Sequence, residues 1–166
     1  MKRKGMLAAL AACLILTLCS CGGTDTSNRT AAVDMAQLQT TMLAADANLT
    51  EMTSITGAAT DGETLFAYVS ALPYNKVENF LLSYSSAGKA DEVAVIAVKD
   101  QQDVEEAART LREHVTQRLN LFRQYGPDQA ARVEKAQVFT KDNYAVLIIA
   151  DQAQAVKTAF EQAVST

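Results

Sequence analysis

The chain has 166 residues, of which 49% are hydrophobic, with 15 basic and 19 acidic side chains and a net charge of −4. An acidic chain without a basic stripe is poorly suited to nucleic acid, where affinity rests on Lys and Arg at the phosphates. One histidine and three cysteines leave few groups for a metal centre or a cofactor, and no cofactor is expected.

Met1-Lys2-Arg3-Lys4 opens the chain with a basic cluster, and Met6 to Leu18 is apolar except for Thr17. This run of about thirteen residues is short of the roughly 20 that a membrane-spanning helix needs. A basic start, a short apolar core and small residues behind it have the layout of a secretory signal peptide. The segment Leu18-Cys19-Ser20-Cys21, followed by Gly22-Gly23, resembles the bacterial lipobox. That resemblance implies cleavage between Ser20 and Cys21 and acylation, with palmitate or a similar chain, of Cys21. An ordinary signal peptide is the alternative. Residues 1–20 are then a lipoprotein signal peptide, residues 21–31 a polar tether and residues 32–166 a single α+β domain.

Cleavage removes Cys13 and Cys19, and lipidation consumes Cys21, so the mature chain has no free thiol for a disulfide, a nucleophile or a thiolate metal site. It also removes Lys2, Arg3 and Lys4, which takes the net charge to about −7. The acyl chains on Cys21, rather than the acidic surface, are expected to hold the protein on the extracytoplasmic face of the cell membrane.

Met35, Leu38, Met42, Ala45, Leu49 and Met52 follow a helical spacing, with a break expected near Asp46-Ala47-Asn48. A methionine stripe of this kind is core, or else the lining of an adaptable binding groove. Thr53 to Gly62 reads as a loop and Glu63 to Leu72 as a short helix stopped by Pro73. One or two helices therefore precede the rest.

The remainder repeats. Asp91 to Thr110 aligns with Asp142 to Glu161 at an offset of 51 residues, each copy reading strand, then Asp and Gln, then helix. Another strand precedes each copy, Asn79 to Ser85 in the first and Ala136 to Lys141 in the second. Two consecutive ββα units follow. Val93 to Val98 and Tyr144 to Ala150 are apolar throughout, as in strands buried on both faces. The other two strands approach alternation, which suits edges. The expected fold is a four-stranded antiparallel sheet of order 1-2-4-3, with the helices at Asp103–Tyr125 and Gln152–Val164 on one face and the N-terminal helix on the other.

From Leu65 onward the chain resembles the small lipoproteins that carry domain of unknown function 4358. The matching pieces are Ala90-Asp91-Glu92 entering an apolar strand, Lys99-Asp100 leaving it, Arg118 in the long helix, Tyr125-Gly126-Pro127 ending that helix, and Asp151 between the last strand and helix. The resemblance implies an extracytoplasmic α+β lipoprotein domain and brings no activity, ligand or catalytic residue with it.

Catalytic chemistry finds little support in the residues. A Ser-His-acid triad would have to use His114, and no Gly-x-Ser-x-Gly elbow is present. His114 itself reads as a solvated or half-buried surface residue of a helix. The acids Asp100, Asp103, Glu105 and Glu106 gather at a helix start, where capping and the helix dipole account for them. Glu92, a charge entering an apolar strand, and Arg118, beside the stripe Val104, Leu111, Val115, Leu119 and Phe122, are expected to meet across the sheet–helix interface, with a pocket lining or two separate solvated charges as the alternatives. Arg118 and Tyr125 mark a candidate interaction surface. The expected function is a non-catalytic binding or interaction module with an envelope protein or ligand as partner, and the alternative is a small hydrolase using carboxylates.

Overall fold

Successive side chains along a strand point to opposite faces of a sheet, and in the two most apolar strands both faces are covered. A computed structural model describes residues 33–49 and 51–165. The expected signal peptide, Ser20, Cys21 and the tether 21–31 lie outside the described residues. Five strands, β1 (Met52–Thr56), β2 (Val77–Ser85), β3 (Glu92–Val98), β4 (Gln137–Lys141) and β5 (Tyr144–Ile149), form one antiparallel sheet of order β1-β2-β3-β5-β4. The helices are α1 (Met35–Ala44), α2 (Gly62–Phe66), α3 (Val104–Tyr125), α4 (Pro127–Val133) and α5 (Ala153–Val164). The fold is α+β.

Ala94, Ile96 and Val98 of β3, with Ala145, Leu147 and Ile149 of β5, face a core completed by Leu111 and Phe122 of α3, Val133 of α4 and Phe66 of α2. Val93 and Val95, with Val146 and Ile148, face a second core completed by Met35, Leu38 and Met42 of α1 and Val156 and Phe160 of α5. The methionine stripe is core, which removes the binding-groove alternative for α1.

Two expectations are corrected. The sheet has five strands rather than four. The four strands read from the sequence stand side by side as β2-β3-β5-β4, and β1 adds outside β2, which is therefore not an edge. Met52, at the end of the helical stripe, belongs to this added strand because the chain leaves the helix earlier: α1 ends at Ala44, and the buried Asp46 turns the chain by accepting from Asn48 N at 2.9 Å and Gln152 N at 2.8 Å. The second correction concerns α5, which packs with α1 rather than with α3. The 22-residue α3 lies across β3, β5 and β4 and is followed on the same face by α4. The opposite face, with α1 alone, receives α5. Asp46 fixes this placement by accepting the backbone N–H of Gln152, where α5 begins.

The two copies of the expected repeat meet where β3 pairs with β5. Val95 pairs with Val146, flanked by Ala94–Leu147 and Ile96–Ala145. An offset of 51 residues exchanges these pairs, so a local twofold passes through the sheet at Val95–Val146. The helices that follow β3 and β5 break it by taking opposite faces.

α4, absent from the expected elements, starts with Pro127 at its first position, where the missing N–H costs nothing,. Arg132 of α4 then joins the two central strands at one end. It pairs with Asp91, just before β3, and with Asp151, just after β5, at 2.7 Å.

Candidate functional site: a cleft beside the long helix

Rise per residue places the charges. β3 covers about 20 Å at ~3.4 Å per residue, and a helix needs about 14 residues to run back over that distance at 1.5 Å per residue. Fourteen residues on from Val104, where α3 begins, is Arg118. α3 therefore brings Arg118 over the start of β3, where Glu92 stands.

Arg118 Nε lies 2.9 Å from Glu92 Oε2, and His114 Nε2 lies 2.7 Å from Glu92 Oε1. Glu92 is 2% exposed; a carboxylate so removed from water needs partners on both oxygens, and it has them. The two partners differ in quality. His114 is hydrogen-bonded; with Glu92 ionised, Nε2 carries the proton and Nδ1 is left for another partner. Arg118 Nε is within ion-pair distance, yet its N–H is not aimed at an acceptor. Distance and direction disagree here, and direction decides: this is an ion pair and not a directed hydrogen bond. Nη2 donates to Ala90 O at a long 3.3 Å, and the guanidinium rests over the Phe122 ring at 5.0 Å.

Beside this trio a cleft of about 390 Å³ opens between α3, the turn after α2, and β1–β2. Ile55, Leu65, Tyr68, Leu82 and Tyr84 line it together with Glu92, His114 and Arg118. Tyr84 stands opposite Glu92 in the β2–β3 register, so both side chains reach the same face,. Tyr68, on the turn that leaves α2, is 71% exposed.

Tyr125 does not line the cleft. It is 80% exposed and lies farther along α3. His114, Arg118, Leu121 and Tyr125 are spaced four, three and four apart, which aligns them on one stripe of the helix. The large hydrophobic side chains that stand exposed among the described residues are Tyr68, Tyr84, Leu121 and Tyr125. Two line the cleft, and two continue the stripe that forms its helical wall. Reading from the sequence singled out Glu92, Arg118 and Tyr125 but gave His114, a solvated or half-buried helix residue in that reading, no part in the site. Its position one turn before Arg118 was the signal that could have found it.

The arrangement has limited chemical range. Glu92 is the single carboxylate of the cleft and is engaged on both oxygens, whereas glycoside hydrolysis needs two carboxyl groups about 5–10 Å apart across the substrate,. No Ser, Thr or Cys lines the cleft beside His114 to act as a nucleophile,.

A family model described as a domain of unknown function (DUF4358) matches residues 47–150. The match takes in the sheet from β1 to β5, α2, α3, α4 and every residue that lines the cleft. No curated protein and no solved structure matches the chain significantly.

Proposed function

The chain belongs to the DUF4358 family, and from that premise we propose that it is a lipid-anchored extracytoplasmic binding module that holds its ligand in the Glu92–His114–Arg118 cleft without turning it over. The observation that carries this reading is the convergence of a fully partnered buried carboxylate with two tyrosines that the fold leaves uncovered. Pockets that recognise ligands combine an apolar and aromatic lining with a few placed polar groups. Structural ion pairs need no such lining. Leu121 and Tyr125 extend the same surface toward a partner larger than the cleft, and they keep the expected role of Tyr125 in an interaction surface. The alternative, a carboxylate-dependent hydrolase, lacks a second acid in the cleft.

The anchor rests on the lipobox resemblance at Ser20-Cys21. On that resemblance, the acyl chains on Cys21 hold the protein at the membrane; no described helix is long and apolar enough to cross one. Metabolic labelling with a palmitate analogue should mark wild type and Cys19→Ser but not Cys21→Ser. Equal labelling of Cys21→Ser contradicts the anchor.

The binding reading is tested by native mass spectrometry of the full-length protein released from membranes. Wild type should retain a small-molecule or peptide adduct that Tyr68→Ala/Tyr84→Ala loses. An adduct unchanged in the double variant contradicts the cleft as its site, and a hydrolytic turnover abolished by Glu92→Gln contradicts the absence of chemistry.

A further inference from the structure

The guanidinium of Arg118 has donors that the described residues do not use. Of its five N–H groups, one makes a directed bond, from Nη2 to Ala90 O at 3.3 Å. Nε faces Glu92 without aiming at it, and the directed bond from Nη2 leaves Nη1 without an acceptor among the described residues. Glu92, the Ala90 carbonyl and the Phe122 ring hold the group at the cleft wall while leaving much of its planar fork open. A guanidinium fork matches a carboxylate in shape and charge, two parallel N–H groups to two oxygens.

Resting on the reading of the cleft as a binding site, we propose that its ligand is an organic carboxylate with an apolar body, held by Arg118 at the charged end and by Tyr68, Tyr84 and Leu65 at the other. Glu92 does not bar an anion. It is 2% exposed, and each oxygen already faces a neighbour that can carry positive charge. A phosphate fits less well, because its second charge would meet no lysine among the lining residues. A cation meets Arg118. The volume, about 390 Å³, lies near the lower end of small-ligand sites, about 300–1,000 Å³. It accommodates a single acid, or the last residue or two of a peptide. Tyr68, 71% exposed, is the side chain with most surface left for an apolar body to cover.

Isothermal titration of the full-length protein in detergent micelles tests this with matched probes. The probes are 3-phenylpropanoate against its amide, and a pentapeptide ending in Phe with a free against an amidated C-terminus. The acids should bind at least about tenfold more tightly than their amides. Arg118→Lys, which keeps the charge and loses the fork, should remove most of that preference. Tyr68→Ala, at an exposed position of the cleft wall, should weaken both acids about fivefold or more while the protein stays folded. A tighter free-ended pentapeptide identifies a peptide C-terminus as the source of the carboxylate, and a tighter phenylpropanoate a free acid. Equal binding of acid and amide overturns the carboxylate and leaves the cleft as a binding site. If no probe binds while the purified protein still retains a Tyr68-dependent adduct, the ligand class is wrong. If neither probe nor adduct binds, the binding reading falls with it.

Discussion

β3 and β5 are exchanged by a local twofold at Val95–Val146, yet the units that contain them carry different equipment. α3 has 22 residues and α5 has 12. At the offset of 51 residues, α5 ends opposite position 113. His114, Arg118, Leu121 and Tyr125 therefore belong to a length of helix that the second unit lacks. Glu92 corresponds to Asn143, which sits in the two-residue turn between β4 and β5 and donates its Nδ2–H to Val98 O at 3.1 Å. The two units share the central strands, and the helical wall of the cleft, His114 and Arg118, comes from the part of α3 without a counterpart in α5. Mutation should accordingly separate the apolar scaffold around α5 from the exposed aromatics of the cleft, with the Glu92–Arg118 pair contributing to both.

The largest expected loss is in the shared scaffold. Phe160→Ala empties a fully buried position that packs edge-on against Phe139 and Tyr144, at a cost of about 3–5 kcal/mol. Denaturant unfolding should show a lower midpoint with an unchanged slope. A loss under about 1 kcal/mol would show that α5 is peripheral and break the comparison on its scaffold side.

Next comes Arg118→Ala, which leaves the Glu92 carboxylate buried with His114 alone. Removing one partner of a buried pair costs about 3–5 kcal/mol, and the 21% exposure of the Arg118 side chain places this case at the low end. A cost near zero would mean that Glu92 is hydrated or protonated in the folded state. Asp46→Ala removes the acceptor for Gln152 N and Asn48 N and should cost about 1–2 kcal/mol, as for a lost helix cap. It should also raise amide exchange in the first turn of α5 ahead of the sheet.

Smaller still are the exposed aromatics. Tyr68→Ala and Tyr125→Ala should change stability by no more than about 0.5 kcal/mol, while Tyr68→Ala lowers ligand retention. The smallest effect belongs to Asp100, whose carboxyl lies below the usual Asp range because it accepts from the backbone and then the side chain of Gln102. A depressed folded value means that its contribution is complete above the ordinary Asp value and is lost as pH falls through the folded one. Carboxyl-carbon NMR should place its midpoint below that of a free Asp. Gln102→Ala, which removes only the side-chain donor, should return part of the shift.

How far the sequence could be read depended on how local each signal was. Val93 to Val98 and Tyr144 to Ala150 declared themselves as central strands because apolar residues fill both faces. Glu92 and Arg118 were readable as a pair because a charge entering such a run needs a partner. β1 was not readable: Met-Thr-Ser-Ile-Thr is short and half polar, and its Met52 falls on the helical spacing of the preceding stripe. The face taken by α5 was hidden because β3 and β5 are equally apolar on both sides and favour neither. The cleft itself joins Tyr68, Tyr84 and His114 from three elements far apart in the chain, and no spacing rule connects them.

Buried ion pairs are weak contributors to stability when compared with apolar side chains of similar size. Holding one beside a cleft makes sense if it serves recognition, and this is the claim most open to attack. The direct test is ligand retention, read by native mass spectrometry, in the full-length variant Glu92→Leu/His114→Leu/Arg118→Met, with its melting temperature as the control for folding. The account predicts a melting temperature equal to or above that of wild type and complete loss of the retained ligand. A folded variant that still carries the ligand would contradict it.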